Sequence, residues 1–355
     1  MKKQKESTIS DYKGPYPEID GAEEELMEIS KARFHEFYND NPYGKASKRL
    51  YNEFNGIIIN GFASIYIIAK RLVDYAKSEG YQIGSRGSAG SSFVAYLLGI
   101  TDINPLEYDI PFEVFAGCRK NDVSGADYTK VPDFDFNLCN DGREAVIKYF
   151  EEMPDAHKVI KIDILGHKSQ TKLNKLEEAT GIDVKSIQFD DEKTLDLLIN
   201  TDAFGVPEFG MEFARKVIKA AQPVDFKDFV KISGLCHGTD VWSDNADKLI
   251  ESGVATLQDV ISTRDEVMVY LMEKGFKREN AFTIMEDLRK GKGLSDDFIK
   301  MMREADIPDW YIESCKKIIY LFPKAHAVAY TMTAFRLAWF KAHYPDTFLN
   351  ITQCD

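Results

Sequence analysis

The sequence predicts an α/β fold class, in the α+β sense of a small mixed sheet followed by a mainly helical domain. Short apolar strands are expected at residues 80–84, 131–137 and 158–166, all in the first half of the chain. After about residue 167 the apolar residues recur with helical spacing, and no further strand pattern is found. The chain has 355 residues, which is long enough for two or three domains.

Local patterns predict the order of the elements. Residues 1–17 are polar and lysine-rich and are expected to form a flexible lead-in. Helical spacing then covers residues 21–38 and 47–79, with breaks expected at Gly56 and Gly61 because glycine weakens a helix. A short helix is expected in SFVAYLLG, after the first strand. Further helices are expected at 168–180, 191–199, 207–221, 256–274, 278–290, 295–304, 308–321 and 324–342.

The overall charge bears on the choice of partner. Charged residues make up 29% of the chain, hydrophobic residues 44%, and the formal net charge is −13. An acidic balance argues against nucleic-acid binding unless the charges are segregated, because phosphate attracts basic surface. Basic clusters occur in the later part of the chain, for example RKGK at 289–292, and they leave room for a basic groove.

Cysteine usage and hydropathy indicate the compartment. The five cysteines are widely spaced and form no CxxC pair, which argues against a zinc ribbon and against a disulfide framework. No apolar run reaches the roughly 18 residues of a membrane span, and no signal peptide opens the chain. We therefore expect a cytoplasmic protein with no membrane partner.

Two carboxylates lie on a predicted strand, VPDFDFNL at 131–138. Asp133 and Asp135 are two residues apart, so on a strand both project to one face, while Phe134 and Phe136 project to the other. Like charges this close need a neutralising partner, and a divalent cation such as Mg²⁺ prefers oxygen ligands. The alternative is an edge strand with two aspartates on its solvent face.

A third carboxylate lies on the next predicted strand, KVIKIDILG at 158–166. Asp163 shares a face with Lys161, opposite the isoleucines of the same strand. By itself, Asp163 is explained equally by a hydrogen bond to a neighbouring loop. Three carboxylates on two strands, together with a phosphate-binding loop, are the arrangement that two-metal nucleotidyl transfer requires.

The candidate phosphate loop is GSRGSAGSS, residues 84–92, between a predicted strand and a predicted helix. Glycines allow close approach of the backbone to a ligand, and N–H groups at a helix N-terminus with serine hydroxyls can hold an anion. Arg86 can add a charge-assisted bond to phosphate. The loop lacks the GK[ST] ending of a P-loop and the dinucleotide fingerprint, so a simple glycine–serine turn is the alternative.

Longer segments of the chain resemble a known family. They occur in family order over about residues 20–350. The segments are IIINGFASIYIIAKRLV (57–73), GYQIGSRGSAGSSFVA (80–95), ITDINPLEYDIPFEVF (100–115), VPDFDFN (131–137), IKIDILGH (160–167), GVPEFGMEFARKV (205–217), ISGLCHGTDVW (232–242) and the stretch from Pro308 to Pro345 that contains FPKAHAVAY. The chain resembles the catalytic core of bacterial C-family replicative DNA polymerases, the alpha subunit of DNA polymerase III, especially its PolC-type branch, with some DnaE-like features.

The resemblance implies both a fold and site residues. It implies a palm of the polymerase-beta-like nucleotidyltransferase type over residues 18–180 and helical fingers over 181–355. Asp133, Asp135 and Asp163 match the family's catalytic, metal-binding carboxylates, which implies two Mg²⁺ ions that Mn²⁺ can replace. The candidate nucleotide-binding residues are Gly84, Ser85, Arg86, Gly87, Ser88, Ser91, Lys161, His237, Thr239, Lys324 and His326. For Lys161 a charge-balancing role is the alternative.

The implied activity is template-directed DNA synthesis, in which deoxynucleotides are added to a primer 3′ end and pyrophosphate is released. Only 27 residues separate Asp135 from Asp163, so the thumb that the family carries there is missing, and we expect weak, distributive synthesis. The expected partners are primer–template DNA, deoxynucleoside triphosphates and replication proteins in trans, such as a sliding clamp or proofreading and duplex-binding subunits. A chain that has only the palm and the fingers is expected of an engineered minimal core or of a natural compact homologue. The resemblance implies that it acts in a bacterial cell, either as a bacterial or as a phage protein.

Two other functions stay open from the sequence. The first is a catalytically incompetent, polymerase-derived fragment that binds DNA or nucleotide only, which the missing thumb and the net charge of −13 favour. The second is a template-independent nucleotidyltransferase built on the same palm. The long helical half argues against the second function, because fingers serve to select the templated nucleotide.

Overall fold

The computed structural model describes residues 17–38, 44–118, 130–153 and 162–352. The fold divides into two compact units. The first unit comprises residues 1–104 and 115–168, and the second comprises residues 105–114 and 169–355. The predicted lead-in, residues 1–17, lies almost wholly outside the described residues.

The first unit packs helices around a small sheet. Its helices are α1 (Ala22–Tyr38), α2 (Lys45–Ile59), α3 (Ala63–Ser78), α4 (Phe93–Leu97), α5 (Glu113–Ala116), which begins at the edge of the second unit, α6 (Asn140–Glu152) and the start of α7 (Lys168–Thr180). α3 is the central helix, and ten of its sixteen residues are buried. This burial explains why its sequence, ASIYIIAKRLVDYAKS, is apolar over most of its length.

The sequence predicts the break between α2 and α3 only in part. α2 continues through Gly56, which is buried, so the break expected there is wrong. The chain does break at Gly61, whose φ of +68° is a left-handed conformation that favours glycine. A single weak helix former is tolerated where a helix packs tightly, whereas a left-handed residue ends the helix.

The sheet has three strands in the described part of the chain, in the order β1 (Ile83–Arg86), β2 (Phe134–Leu138) and β3 (Ile162–Gly166). β1 is antiparallel to β2, and β2 is parallel to β3. The predicted alternation on β2 is confirmed, because Phe134 and Phe136 are fully buried while Asp135 is only half-buried. The rings of Tyr66 and Phe115 pack edge-on against Phe134 and fix this apolar face.

The second unit is helical, as the sequence predicts. Its helices are the rest of α7, α8 (Glu192–Ile199), α9 (Glu212–Ala221), α10 (Phe226–His237), α11 (Asp247–Glu251), α12 (Arg264–Glu273), α13 (Arg278–Arg289), α14 (Asp296–Glu304), α15 (Asp309–Lys317), α16 (Lys324–His343) and α17 (Pro345–Thr352). A kinked segment, Trp242–Ala246, with non-helical backbone at Ser243 and Asp244, precedes α11. Turns of 3-10 type occur at Gly87–Ser91 in the first unit and Val184–Ser186 in the second. Pairing beyond the sheet is limited, in the described residues, to isolated bridges between Thr239 and Tyr320 and between Thr263 and Phe322.

The sequence misses helix α10. Its C-terminal half, ISGLCH, contains Gly234, which lowers the expected helical propensity. The structure explains this glycine, because a Cβ at Gly234 would lie 2.7 Å from both the Ser262 carbonyl oxygen and the Thr263 side chain. Tight backbone packing against the segment before α12, rather than a turn, is the reason for glycine at this position.

Helix α16 forms the core of the second unit. Twelve of its 20 residues are buried, including Phe335 and Phe340. Among the described residues no single helix is long and apolar enough to cross a membrane, although α2 and α3, bent by 109°, pass that test as a pair by length and composition alone. The apolar character of α16 therefore reflects burial within this unit.

Candidate metal and nucleotide site

Three aspartates converge at the sheet edge of the first unit. Asp133 directly precedes β2, Asp135 is its second residue, and Asp163 is the second residue of β3. One carboxylate oxygen from each aspartate can be chosen so that all three lie within 4.8 Å of one another. All three side chains are half-buried, so a shared ion would keep some access to solvent. Hard oxygen ligands at this spacing fit a divalent cation.

The strand register produces this convergence. Asp135 and Asp163 are paired residues of the parallel strands β2 and β3, so their side chains lie next to each other on one face. Arg143 of α6 donates from Nε to the carbonyl oxygen of Ile164 at 3.0 Å and ties β3 to the helix that follows β2. Alternation along each strand predicts which face each aspartate occupies. Only the pairing of β2 with β3 in this register places Asp135 beside Asp163.

Gly87 brings the glycine–serine loop into contact with the aspartates. A Cβ built on Gly87 would lie only 2.1 Å from Asp135 Oδ2, which no side chain tolerates. The φ of Gly87 is +83°, which also favours glycine. The backbone of the loop thus lies directly against the carboxylate of Asp135. The close approach of this backbone to a bound ligand, which the sequence predicts, stays a prediction.

The other loop residues are described to different degrees. Gly84, Ser85 and Arg86 form most of β1, and the backbone of Arg86 is paired with Asp135. The side chains of Ser85, Arg86 and Ser88, and the whole of Lys161, lie outside the described part of the chain, and their roles stay predictions. Ser91 is fully buried, and its Oγ has no hydrogen-bond partner among the described residues.

The N-terminus of α4 is occupied by a protein carboxylate. The backbone N–H groups of Phe93 and Val94 donate to Glu53 of α2 at 2.9 and 3.0 Å. The N–H of Ala95 donates to Ser92 Oγ at 3.1 Å. These donors are therefore used within the protein, and the expectation that the following helix N-terminus holds an anion is wrong for α4. The binding of an anion by the segment from Gly84 to Ser91 stays a prediction.

The predicted residues of the second unit form a cluster of their own. His237, at the end of α10, stacks on Phe322 with ring centroids 4.6 Å apart and packs edge-on against Tyr330 at 5.7 Å. Its Nε2 also makes a short contact with a carboxylate oxygen of Glu208, a residue with a left-handed φ of +66°. The ring of His326 lies 5.6 Å from that of Phe322. The structure thus brings His237 and His326 together around one phenylalanine.

Thr239 connects to the same segment through its backbone. Its N–H donates to the Tyr320 carbonyl oxygen at 3.0 Å, and its carbonyl oxygen accepts from the N–H of Ile319 at 3.1 Å. This bridge fixes the chain after α10 next to the chain before α16, so Thr239 acts here through its backbone.

Lys324 lies at the edge of a cavity of about 200 Å³ within the second unit. Its Nζ is 3.7 Å from Glu266 Oε1, and Lys231 Nζ is 3.3 Å from Glu266 Oε2. Burial opposes ionisation of Glu266, but the charges of Lys231 and Lys324 and the hydrogen bonds from Ser262 together outweigh burial and hold its pKa at about 2. Asp265 Oδ2 accepts from the backbone N–H of Lys324 at 2.7 Å and caps the start of α16.

The basic cluster at 289–292 is neutralised by acidic residues of α13. Arg289 and Lys290 contact Glu286 at 3.0 and 3.1 Å, and Lys292 contacts Asp287 at 3.1 Å. These ion pairs reduce the unpaired positive charge available for a DNA backbone. The contacts of this cluster therefore do not support its part in the basic groove for which the basic clusters together leave room.

Comparison with known proteins identifies the family. Residues 24–194 match the family model for the bacterial DNA polymerase III alpha NTPase domain. Residues 165–306 match the model for the finger domain of the same subunit. The chain belongs to the bacterial DNA polymerase III alpha family. The two matched regions follow one another along the chain in the order that the resemblance predicts.

Among its relatives are DNA polymerases III of the PolC type. The chain is 33% identical to the protein of Caldanaerobacter subterraneus subsp. tengcongensis, over 94% of this chain and 34% of the relative. It is 34% identical to the Clostridium perfringens protein, over 94% of this chain and 33% of the relative. The Staphylococcus aureus proteins are 33% identical, with 93% and 33% covered. This chain spans about a third of the length of each relative.

The alignments also show extra residues in the relatives. The match to the Caldanaerobacter protein runs over 482 positions, whereas this chain has 355 residues in total. The relatives therefore carry additional residues inside the matched region. This is consistent with the short connection between Asp135 and Asp163, which is only 27 residues long.

Several acidic residues that contact the predicted loop, His237 or Lys324 within their own units were not identified from the sequence. Glu53 is fully buried, although it lies in the helical run Leu50, Phe54 and Ile57, where an apolar residue is expected. An acidic residue at such a core position is a signal of a buried partner, here Arg49 at i−4. Glu208 and Glu266 gave no local signal of their charged partners, because His237 and Lys231 lie 29 and 35 residues away.

Proposed function

We propose that this chain is the catalytic core of a template-directed DNA polymerase that adds deoxynucleotides to a primer 3′ end and releases pyrophosphate. The observation that carries the proposal is the convergence of Asp133, Asp135 and Asp163 within 4.8 Å, with Gly87 in contact with Asp135. The family membership of the chain supports the same reaction class.

The residues of the triad suit a divalent cation. Three half-buried carboxylates offer hard oxygen ligands to Mg²⁺, with Mn²⁺ as a substitute, and two ions are expected. When bound, these ions supply the Lewis acidity that lowers the pKa of the primer 3′-hydroxyl and balances the charge of the triphosphate. The contribution of the protein is to fix the carboxylates in register and to keep the loop backbone against them.

The glycine–serine loop suits the triphosphate. The backbone contact between Gly87 and Asp135 supports a position for phosphate oxygens next to the metal-binding carboxylates. Because the N-terminus of α4 is already occupied by Glu53, we assign the triphosphate to the segment from Gly84 to Ser91. His237, Thr239, Lys324 and His326 of the second unit are proposed to face the nucleotide.

The expected substrates are primer–template DNA and deoxynucleoside triphosphates. Replication proteins acting in trans, such as a sliding clamp and proofreading or duplex-binding subunits, are proposed as further partners. With few phosphate contacts of its own, the chain should make short products, and its affinity for DNA should fall steeply with added salt.

Primer extension with a defined template tests this proposal. The parent chain is expected to add the complementary deoxynucleotide in the presence of Mg²⁺ and to add little without a template. Asp133→Asn and Asp163→Asn should each abolish extension, because the swap keeps the shape and removes the ligand charge. Incorporation that is unchanged in both variants would contradict the proposal, and incorporation without a template would point to a template-independent transferase.

A second function, nucleotide binding without catalysis, is favoured by the pairing of the basic cluster at 289–292 with acidic residues and by the net charge of −13, because both weaken the grip on DNA that primer extension requires. Titration of dATP and Mg²⁺ in the absence of DNA distinguishes the two functions. Saturable binding followed by failure to extend any primer would support the binding role.

A further inference from the structure

A buried ion pair on α2 contacts the end of the glycine–serine loop. Glu53 has no exposed surface, and Arg49 Nε lies 2.5 Å from Glu53 Oε1 in an i, i+4 arrangement. A carboxylate without solvent is costly unless its oxygens are fully satisfied. The groups that donate hydrogen bonds to Glu53 therefore show which part of the structure this residue holds in place.

Apart from Arg49, the donors to Glu53 lie where the loop joins α4. Ser92 donates from Oγ to Glu53 Oε2 at 2.8 Å, and the N–H groups of Phe93 and Val94 donate to the two carboxylate oxygens at 2.9 and 3.0 Å. The Ser92 hydroxyl is also 3.1 Å from the hydroxyl of Tyr66. Glu53 thus fixes three consecutive residues against α2.

Arg49 binds the residue that precedes Ser92. Its Nη2 donates to the Ser91 carbonyl oxygen at 2.6 Å. The guanidinium of Arg49 therefore binds the carbonyl oxygen of Ser91, and the carboxylate of Glu53 binds the hydroxyl of Ser92. A guanidinium is suited to this bridging role because its donors form a rigid fork.

The opposite end of the loop is fixed by the sheet. The backbone of Arg86 is paired with Asp135, and Gly87 contacts the carboxylate of Asp135. Only the short 3-10 turn Gly87–Ser91 lies between this contact and the Arg49–Glu53 pair. The position of the turn relative to the three aspartates is therefore determined at both ends.

Stability alone does not explain a buried charge pair here. Ser92 and Glu53 together cap α4, because Ser92 accepts from the N–H of Ala95 and Glu53 accepts from the N–H groups of Phe93 and Val94. The helix start does not, however, require the bond from Arg49 to the carbonyl oxygen of Ser91, which belongs to the loop. Buried ion pairs are often replaced by apolar residues without loss of stability. A requirement for an accurately placed loop does explain the pair.

We propose that Arg49 and Glu53 are positioning residues that set the turn Gly87–Ser91 for binding of a nucleoside triphosphate. The inference rests on the proposed function, because it assigns the triphosphate to this loop. None of the contacts described above joins Arg49 or Glu53 to an aspartate of the triad. Their loss should therefore weaken triphosphate binding and leave metal binding by the aspartates largely intact.

The test compares two ligands in the full chain by calorimetry: Mn²⁺ alone, and dATP with Mg²⁺. The variants are Arg49→Lys, which keeps the charge but loses the fork, and Glu53→Gln, which loses the charge. The matched control is Asp74→Asn, which removes the exposed i, i+4 pair with Lys70 on α3. We expect Mn²⁺ affinity within about twofold of the parent in all three variants. We expect dATP affinity about tenfold or more weaker in the two α2 variants only.

A kinetic measurement separates positioning from a general structural role. In primer extension, Arg49→Lys should raise KM for the nucleotide by about the tenfold factor expected for dATP affinity, while kcat changes much less. A parent chain that binds dATP while both variants bind it equally well would overturn the positioning role alone. Parallel losses of Mn²⁺ and dATP binding would also overturn it, in favour of a structural role. A parent chain that binds no dATP would overturn the proposed function and this inference with it.

The outcome does not depend on a single variant. If Glu53→Gln fails to fold, Arg49→Lys decides the question, because it leaves the donors of Ser92, Phe93 and Val94 on an intact carboxylate.

Discussion

Asp135 and Asp163 are register partners on the parallel strands β2 and β3, and their carboxylates, with that of Asp133, reach a common point. The apolar residues of β2 on the other face are fully buried, so a shift of one residue in register would exchange the two faces. Burial of Phe134 and Phe136 in the core thus keeps the aspartates on the opposite face of the sheet, where the candidate site lies. The site and the core depend on the same register.

Gly87→Ala should damage the site without unfolding the protein. The added Cβ would lie 2.1 Å from Asp135 Oδ2, so either the loop or the carboxylate must move. We expect metal affinity, measured by Mn²⁺ titration, to fall about tenfold or more, which corresponds to about 1.4 kcal/mol.

Gly80→Ala is the matched control for that variant. Gly80 has a similar φ of +77°, but a Cβ there meets nothing within 4 Å. It carries the same backbone strain, of order 1 kcal/mol, without the clash. Equal metal affinity in the two alanine variants would show that the contact with Asp135 does not matter.

Glu266→Gln should destabilise the second unit in a pH-dependent way. The pKa of Glu266 is held at about 2, below its ordinary value of 4.5, so the folded state binds this proton more weakly than the unfolded state. The resulting stabilisation, at most about 3 kcal/mol, is complete above pH 4.5 and is lost as the pH falls towards 2. Urea unfolding of parent and variant should therefore differ most near neutral pH and converge in acid.

The control for Glu266→Gln is Glu212→Gln. Glu212 forms an i, i+4 pair with Lys216, and both side chains are more than 70% exposed. Exposed pairs contribute little to the free energy of unfolding. A difference between parent and Glu266→Gln that stays constant from neutral to acidic pH would contradict the pairing of this carboxylate with Lys231 and Lys324.

Gly234→Ala should destabilise α10 by overpacking. The new Cβ would lie 2.7 Å from the Ser262 carbonyl oxygen, and backbone cannot move as a flexible side chain can. A loss of about 1–3 kcal/mol in the free energy of unfolding is expected. The neighbouring Ser233→Ala removes a buried hydroxyl that has no partner among the described residues, so it should be neutral or stabilising. Equal effects of the two substitutions, measured by urea unfolding, would refute this explanation of the glycine.

The sequence predicts those parts of the fold that depend on local pattern. Alternation over residues 131–138 predicts both the buried phenylalanines and the shared face of Asp133 and Asp135, because strand geometry acts over two residues. Most helices of the second unit follow from their spacing for the same reason. The helix expected at 256–274 instead begins at Arg264, where the segment before it pairs with Phe322.

Contacts between distant residues could not be predicted in this way. Glu53 reaches N–H groups 40 and 41 residues away, and His237 meets Glu208 across 29 residues. Nothing in the local sequence specifies these partners. A buried acid at an apolar helical position indicates that a partner exists but not which one.

The most direct test of the triad is Mn²⁺ binding to the parent chain and to Asp135→Asn, with Asp141→Asn as the control. Asp141 is an exposed residue of the first turn of α6, close in sequence to the triad but not part of it. Because the three carboxylates share one site, we predict saturable binding to the parent and to Asp141→Asn, and binding at least about tenfold weaker in Asp135→Asn. Equal Mn²⁺ affinity in all three proteins, or no binding to the parent, would contradict the account.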